Sequence, residues 1–300
     1  MTDNEYLAKI LEEQTLEVDG SELKDLNQRG KEVKDLLEKH FSECDPTLRY
    51  GGSKAKGTMI KESYDLDIIC YFPRDDEDAG KTLKEIYEET EAALKDDYFV
   101  ERKASALRLR EKATETTGGL DFHVDVVPGR YIDGDTGDVY IYQHAADKDR
   151  LKTNIEKHIG HVKGSEVVEA IRLMKLWRAR NGLHIKTFVL ELLVIDLLST
   201  KKSATLTSQL THVWKTFRDE SKSLSVKDPA NENNDFSGIL NSAKPELEMV
   251  ARSTLSTIEN SGWEAVFGKL QDSDDDGGKK GQKLQAAVAA VSTPSKPWAA

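Results

Sequence analysis

Two carboxylates one residue apart, Asp65 and Asp67, open the apolar run Leu66-Asp67-Ile68-Ile69-Cys70-Tyr71-Phe72. Side chains alternate across a β-strand, so this spacing aims both carboxylates at one face. Paired anionic oxygens suit a hard divalent cation, Mg²⁺ above all, held together with substrate phosphates. Just upstream, Gly51-Gly52-Ser53 forms a tight turn whose N–H groups and hydroxyl can meet phosphate oxygens, and Lys54-Ala55-Lys56-Gly57-Thr58 follows it. A third carboxylate stands in Leu120-Asp121-Phe122-His123-Val124-Asp125-Val126-Val127-Pro128-Gly129, which alternates polar and apolar residues before a Pro-Gly stop. Asp121, His123 and Asp125 share a face in such a strand. If it lies beside the first, Asp125 completes a metal-binding triad. Two metal ions there would activate an attacking hydroxyl and neutralise a departing pyrophosphate, which is the chemistry of nucleotide transfer.

Asp-x-Asp alone is too common to carry this reading, but the full string of Gly-Ser, Gly-Thr, Asp-x-Asp and a later apolar-Asp-apolar-apolar-Pro strand is far more specific. The string resembles the signature of the polymerase-β-type nucleotidyltransferase superfamily. Within it, the chain is most similar to the branch holding oligoadenylate synthases, archaeal CCA-adding enzymes and bacterial cGAS/DncV-like nucleotidyltransferases (CD-NTases). The resemblance implies that Gly52 and Ser53 bind a triphosphate, that Asp65, Asp67 and Asp125 hold two Mg²⁺ ions (or Mn²⁺), and that Lys56 contacts phosphate. It further implies NTP substrates, ATP among them, and a cyclic di- or trinucleotide product in anti-phage (CBASS-type) signalling. Regulatory partners, or proteins that conjugate the C-terminus, belong to the same expectation.

Two further residues follow from the same likeness. Lys175, in Arg172-Leu173-Met174-Lys175-Leu176-Trp177, stands where related chains carry a triphosphate-binding lysine on a helix; a lysine that snorkels out of an apolar helix is the plainer alternative. Lys186-Thr187-Phe188-Val189-Leu190-Glu191-Leu192-Leu193 resembles the CD-NTase string that supplies a serine hydroxyl, with Thr187 at that position. Glu191, inside the apolar run, is expected to be structural, because an unpaired buried carboxylate is costly. His158 and His161 have no cysteine partners and do not read as a zinc site. Asp228 to Asn234 reads as a dense turn segment.

The elements that must position these residues point to an α+β fold: a polymerase-β-like core of mixed sheet and helices, plus a C-terminal helical lobe. The expected division is 1–160 for the catalytic core with N-terminal helices, 161–270 for the helical lobe, and 271–300 for a flexible acidic linker and tail. Ser21 to Phe41 has the period of an amphipathic helix, and Lys81 to Lys95 that of a charged one. Ala104 to Glu111 reads as a strand with Arg108 and Arg110 on one face, either in contact with substrate or, the safer reading, on a charged solvent face. Helical patterns follow at Ser165 to Asn181, Ile185 to Leu198, Thr205 to Phe217 and Lys244 to Ile258.

A formal net charge of −11 over 300 residues argues against stable duplex nucleic-acid binding, which needs a basic surface. The two cysteines, Cys44 and Cys70, lack metal-ligand spacing and read as reduced thiols. No apolar run approaches a membrane span and the acidic start lacks a signal-peptide core, so no membrane association and a cytoplasmic location are expected. Two alternatives remain beside the cyclic-nucleotide synthase. One is an RNA-terminal, CCA-adding-like nucleotidyltransferase; the other is a non-catalytic nucleotide-binding sensor or scaffold of the same fold.

Overall fold

The computed structural model describes residues 1–112, 123–144 and 149–271. The expected turn at 114–119, Asp121, and the tail from 272 onward lie outside them. The chain forms two compact units that are not collinear with the sequence. Of the described residues, one unit, α/β, takes those of 17–56 and 65–160; the other, a helical unit, takes 1–16, 57–64 and 161–271. The N-terminal helix and the short segment between the Gly-Ser turn and the Asp65 strand thus belong to the helical unit.

The α/β unit is built on a mixed seven-stranded sheet. Its strands are β1 (Thr47–Tyr50), β2 (Leu66–Phe72), β3 (Tyr98–Arg102), β4 (Leu107–Glu111), β5 (Val124–Tyr131), β6 (Val139–Tyr142) and β7 (Arg150–Thr153). The order is β1-β2-β5-β4-β3, with β6 pairing β5 and β7 pairing β6. Only the central β2–β5 pair is parallel. Both central strands are buried on both faces, which is why they read as near-continuous apolar runs.

One face of β2 carries Ile68, Cys70 and Phe72; α2 (Ser21–His40) packs against β2, and α4 (Leu83–Leu94) against β5. Phe41 meets Phe72 edge-to-face at 4.8 Å. The opposite face gathers Ile69, Tyr71, Val127, Tyr131, Val139 and Ile141, with Ile155 packed against them. Asp67 and Asp125 stand at the N-terminal end of this second face, in the same alternation.

Two sequence expectations about this sheet need correction. Pro128-Gly129 does not end the Asp125 strand; β5 runs on to Tyr131. The pairing with β4 ends at Val126 and that with β6 begins at Gly129, so Pro128 falls where β5 changes neighbours and one flank makes no ladder bond. Gly129 is needed there because an added Cβ would lie 2.9 Å from the Tyr140 carbonyl oxygen. The edge strand β3 was not expected at all. Its edge position leaves Phe99 60% exposed, so the strand lacks a clean buried alternation.

The helical unit comprises α1 (Asp3–Glu13), α6 (Val168–Arg180), α7 (Thr187–Leu197), α8 (Leu206–Asp219), α9 (Ser237–Ser261) and the short α10 (Glu264–Phe267). Helix α5 (Ile155–Lys163) carries the chain into it, and α3 (Gly52–Lys56) is the short helix of the Gly-Ser turn. Trp177, Trp214, Phe217 and Phe267 form its aromatic centre. Asn181 and Gly182 (φ +62°) end α6 as expected. Helix α9 begins earlier than its pattern suggested and runs through Pro245, because Leu240, Ala243, Leu247 and Ala251 form one buried stripe across the proline. Asp228, 2% exposed, accepts from the Ala230 N–H (2.8 Å) and from Asn234 Nδ2 (2.5 Å), which makes the Asp228–Asn234 turn a closed structural loop. Among the described residues no helix is long and apolar enough to cross a membrane. Cys44 and Cys70 are free and buried, and burial raises both thiols, Cys44 to about 11, which leaves them protonated and unreactive.

Candidate active site

The parallel pairing of β2 and β5 sets the site's geometry. Its register puts Asp67 opposite Asp125, with Leu66 opposite Val124 and Ile68 opposite Val126. Opposed residues of parallel strands share a face, so the two carboxylates are lateral neighbours. Asp67 is 4% exposed and Asp125 fully buried. The next strand extends the row, because Arg108 on β4 is the register partner of Asp125. Its guanidinium donates from Nε to Oδ1 at 2.9 Å and from Nη2 to Oδ2 at 3.2 Å, a bidentate pair. Burial works against the charge of Arg108, yet the hydrogen bond and charge of Asp125, together with Asp65 and Glu101, outweigh it and raise its pKa.

Arg108 is therefore not a residue of a solvent face. Its side chain is only 12% exposed, whereas Arg110, two positions on, is 54% exposed and pairs with Glu101 at 3.2 Å. Periodicity correctly put both arginines on one face. It carried no signal that β5 would cover the first and leave the second at the margin.

The Gly-Ser turn closes over Asp67. The Gly51 N–H donates to the Asp67 carbonyl at 2.8 Å. Gly52 adopts φ +53°, and a Cβ there would stand 1.6 Å from Asp67 Oδ2. This position needs glycine twice over, for its left-handed backbone and for the space the carboxylate fills. Ser53 is half-buried and Lys56 is 8% exposed, both within α3 against β2. The neighbouring Lys54 serves a different purpose: its ammonium lies 3.6 Å from the centre of the Tyr50 ring and donates to Asn27 Oδ1 at 2.5 Å. Burial, aided by the charge of Lys34, lowers its pKa.

Asp65 immediately precedes β2 and is half-buried. Among the described residues, no three His, Cys, Asp or Glu side chains are gathered into a ready-made metal cluster. The structure thus brings together Asp67 and Asp125, with Asp65 at the strand mouth and Arg108 across both oxygens of Asp125. The donor chemistry fits a hard dication: all three groups are carboxylates, and Gly52 leaves an oxygen of Asp67 room that any larger residue would occupy.

Lys175 and Thr187 belong to the helical unit. Lys175 does not snorkel. It is 6% exposed, donates to the Thr58 carbonyl at 2.6 Å and lies 3.9 Å from Glu191. Glu191, 1% exposed, accepts from the Thr58 hydroxyl at 2.7 Å and is structural, as the sequence indicated. The Gly57-Thr58 pair of the signature string anchors segment 57–64 in the helical unit. Arg172 Nε adds a hydrogen bond to the Met59 carbonyl at 3.2 Å, and Ile60 is buried in that unit's core. Thr187 opens α7 and is half-buried.

In this chain, residues 30–118, the segment from α2 through the Asp65–Asp67 strand to β4, match the family model of the nucleotidyltransferase domain. Its fold as a whole is that of the bacterial CD-NTases. CdnC of E. coli MS115-1, solved in complex with HORMA-deltaN, superposes with a TM-score of 0.68 over 90% of this chain and 99% of its own, at 18% identity. CdnG of Bradyrhizobium diazoefficiens, solved with GTP, gives 0.66 at 13% identity over 87% of this chain and 94% of its own. The cyclic AMP-GMP synthase DncV of Vibrio cholerae gives 0.60 at 16% identity over 91% and 86%. No curated protein matches the sequence itself.

Proposed function

We propose that this protein is a cytoplasmic CD-NTase that joins NTPs, ATP among them, into a cyclic di- or trinucleotide second messenger for anti-phage signalling. The observation that carries the reading is the in-register, buried Asp67–Asp125 pair beneath the Gly51-Gly52 turn, within a CD-NTase fold. In the reaction, the oxygen of a ribose hydroxyl forms a bond to the α-phosphorus of an NTP. The bond from that phosphorus to the α–β bridging oxygen breaks, and pyrophosphate leaves.

Asp65, Asp67 and Asp125 would hold Mg²⁺ or Mn²⁺, which when bound supplies charge for the nucleophile and for the leaving pyrophosphate. Asp125, fully buried and bonded to Arg108, would help activate the attacking hydroxyl as it loses its proton. Gly52 lets the turn lie directly on Asp67, so a triphosphate held by the turn and by Ser53 meets the carboxylates at close range. Lys56 neutralises phosphate charge. Lys175 and Thr187 are assigned to the triphosphate on their sequence pattern alone. Positioning and electrostatics account for most catalysis of this kind, so the loss of one metal ligand removes most of it.

Pyrophosphate release from the four NTPs with Mg²⁺ or Mn²⁺ tests the reading. Release by the wild type that Asp67→Asn abolishes, with folding intact, supports it. Equal release by Asp67→Asn overturns it. Protein co-purified with products of its neighbouring genes belongs in the same assay, since CdnC has been captured with a HORMA protein.

A further inference from the structure

We infer that Arg108 is the resident counter-charge of the carboxylate site: it balances the buried Asp67–Asp125 pair before metal binds, and it opposes metal loading. This rests on the reading of these carboxylates as metal ligands and adds to it a built-in control of that loading.

Two buried carboxylates set side by side on neighbouring strands repel, and burial strengthens the repulsion. The chain places a guanidinium in the same row, one strand further out, with both of its donors on Asp125. Arg108 is committed to this task. Glu101, a further acidic neighbour beside Asp65, is held by Lys103 at 2.5 Å and Arg110 at 3.2 Å.

A dication arriving at Asp125 must therefore share oxygens that already accept two hydrogen bonds, and must do so beside a fixed positive charge. Two opposite consequences are conceivable for Arg108, and they differ in sign. A group that merely orients Asp125 would strengthen metal binding. A counter-charge weakens it, and its removal tightens it.

The test is Mn²⁺ binding to the full chain without nucleotide, followed by electron paramagnetic resonance, for wild type, Arg108→Gln, Arg108→Lys and Asp67→Asn. Arg108→Gln keeps hydrogen-bond donors but loses the charge, and should bind Mn²⁺ about tenfold more tightly. Arg108→Lys should stay close to wild type. The melting temperature of metal-free Arg108→Gln should fall, and Mn²⁺ should restore it by a larger shift than in the wild type.

Unchanged or weaker Mn²⁺ binding by Arg108→Gln, with Asp67→Asn deficient in binding, overturns the counter-charge while leaving the metal site standing. Unimpaired binding by Asp67→Asn overturns the metal site, and the inference falls with it. If Arg108→Gln does not fold without metal, folding on addition of Mn²⁺ supports the inference. Failure to fold with Mn²⁺, beside a folded Arg108→Lys, overturns it.

Discussion

Gly52 and Asp67 occupy one another's space: a Cβ on the glycine would sit 1.6 Å from the carboxylate's Oδ2. This contact joins the turn expected to hold phosphate to the strand expected to hold metal. Gly52→Ala should displace the turn, the carboxylate or both. The left-handed backbone (φ +53°) alone costs about 1–3 kcal/mol with a side chain. Displacement of reacting groups lowers turnover on the order of a hundredfold. Pyrophosphate release and a melting curve on the variant check both effects.

Asp67→Asn and Asp125→Ala should separate activity from stability. Asp67→Asn removes a ligand and relieves repulsion with Asp125, so turnover collapses while the melting temperature holds or rises. Asp125→Ala loses turnover too, but strands Arg108 beside a sheet and costs about 3 kcal/mol. Chemical denaturation of the two variants side by side makes the comparison; equal destabilisation would contradict the placement of Arg108.

The Lys175–Glu191 pair predicts strong non-additivity. Lys175→Met leaves Glu191 charged and buried, at a cost of about 3–5 kcal/mol. Lys175→Met with Glu191→Leu should recover much of that loss, since both charges are gone and the volume stays filled. A double-mutant cycle by urea unfolding measures the coupling, and simple additivity would show that Thr58, not Glu191, is the important partner of Lys175.

Asp138 makes an acid-sensitive contribution to stability. Hydrogen bonds from Asn154 and Lys152, with the charges of Lys152 and Lys157, hold its pKa at about 2, below the ordinary 3.8. A depressed carboxylate pKa contributes stability that is complete above the unfolded value and is lost as pH falls through the folded one. Asp138→Asn should therefore be less stable than wild type by a constant amount above about pH 5. The gap should close as pH falls from 4 toward 2. Urea midpoints across that range read it out.

Much of the site was legible because its signals are local. Alternation put Asp65 and Asp67 at a strand start, and β5 showed the same period around Asp125. The structure supplied what no local pattern holds: that β2 and β5 pair in parallel with Asp67 opposite Asp125. Arg108 was misread for the same reason, since its burial comes from β5, which lies 17 residues along the chain. The bond of Thr58 was not legible either, because its partner Glu191 is 133 residues away. N-terminal helices were expected, but only Ser21 to Phe41 was delimited and not α1, although its signal is local. Thr2 and Glu5 form a capping box, and Tyr6, Leu7, Ile10 and Leu11 supply the buried stripe.

The measurement that bears most directly on the account is mass spectrometry of the phosphatase-treated products made from all four NTPs with Mg²⁺ or Mn²⁺, with and without tRNA. A phosphatase-resistant cyclic oligonucleotide, formed without tRNA and absent with Asp67→Asn, is the predicted result. Nucleotides added only to the end of tRNA, or a cyclic product that persists with Asp67→Asn, would contradict it.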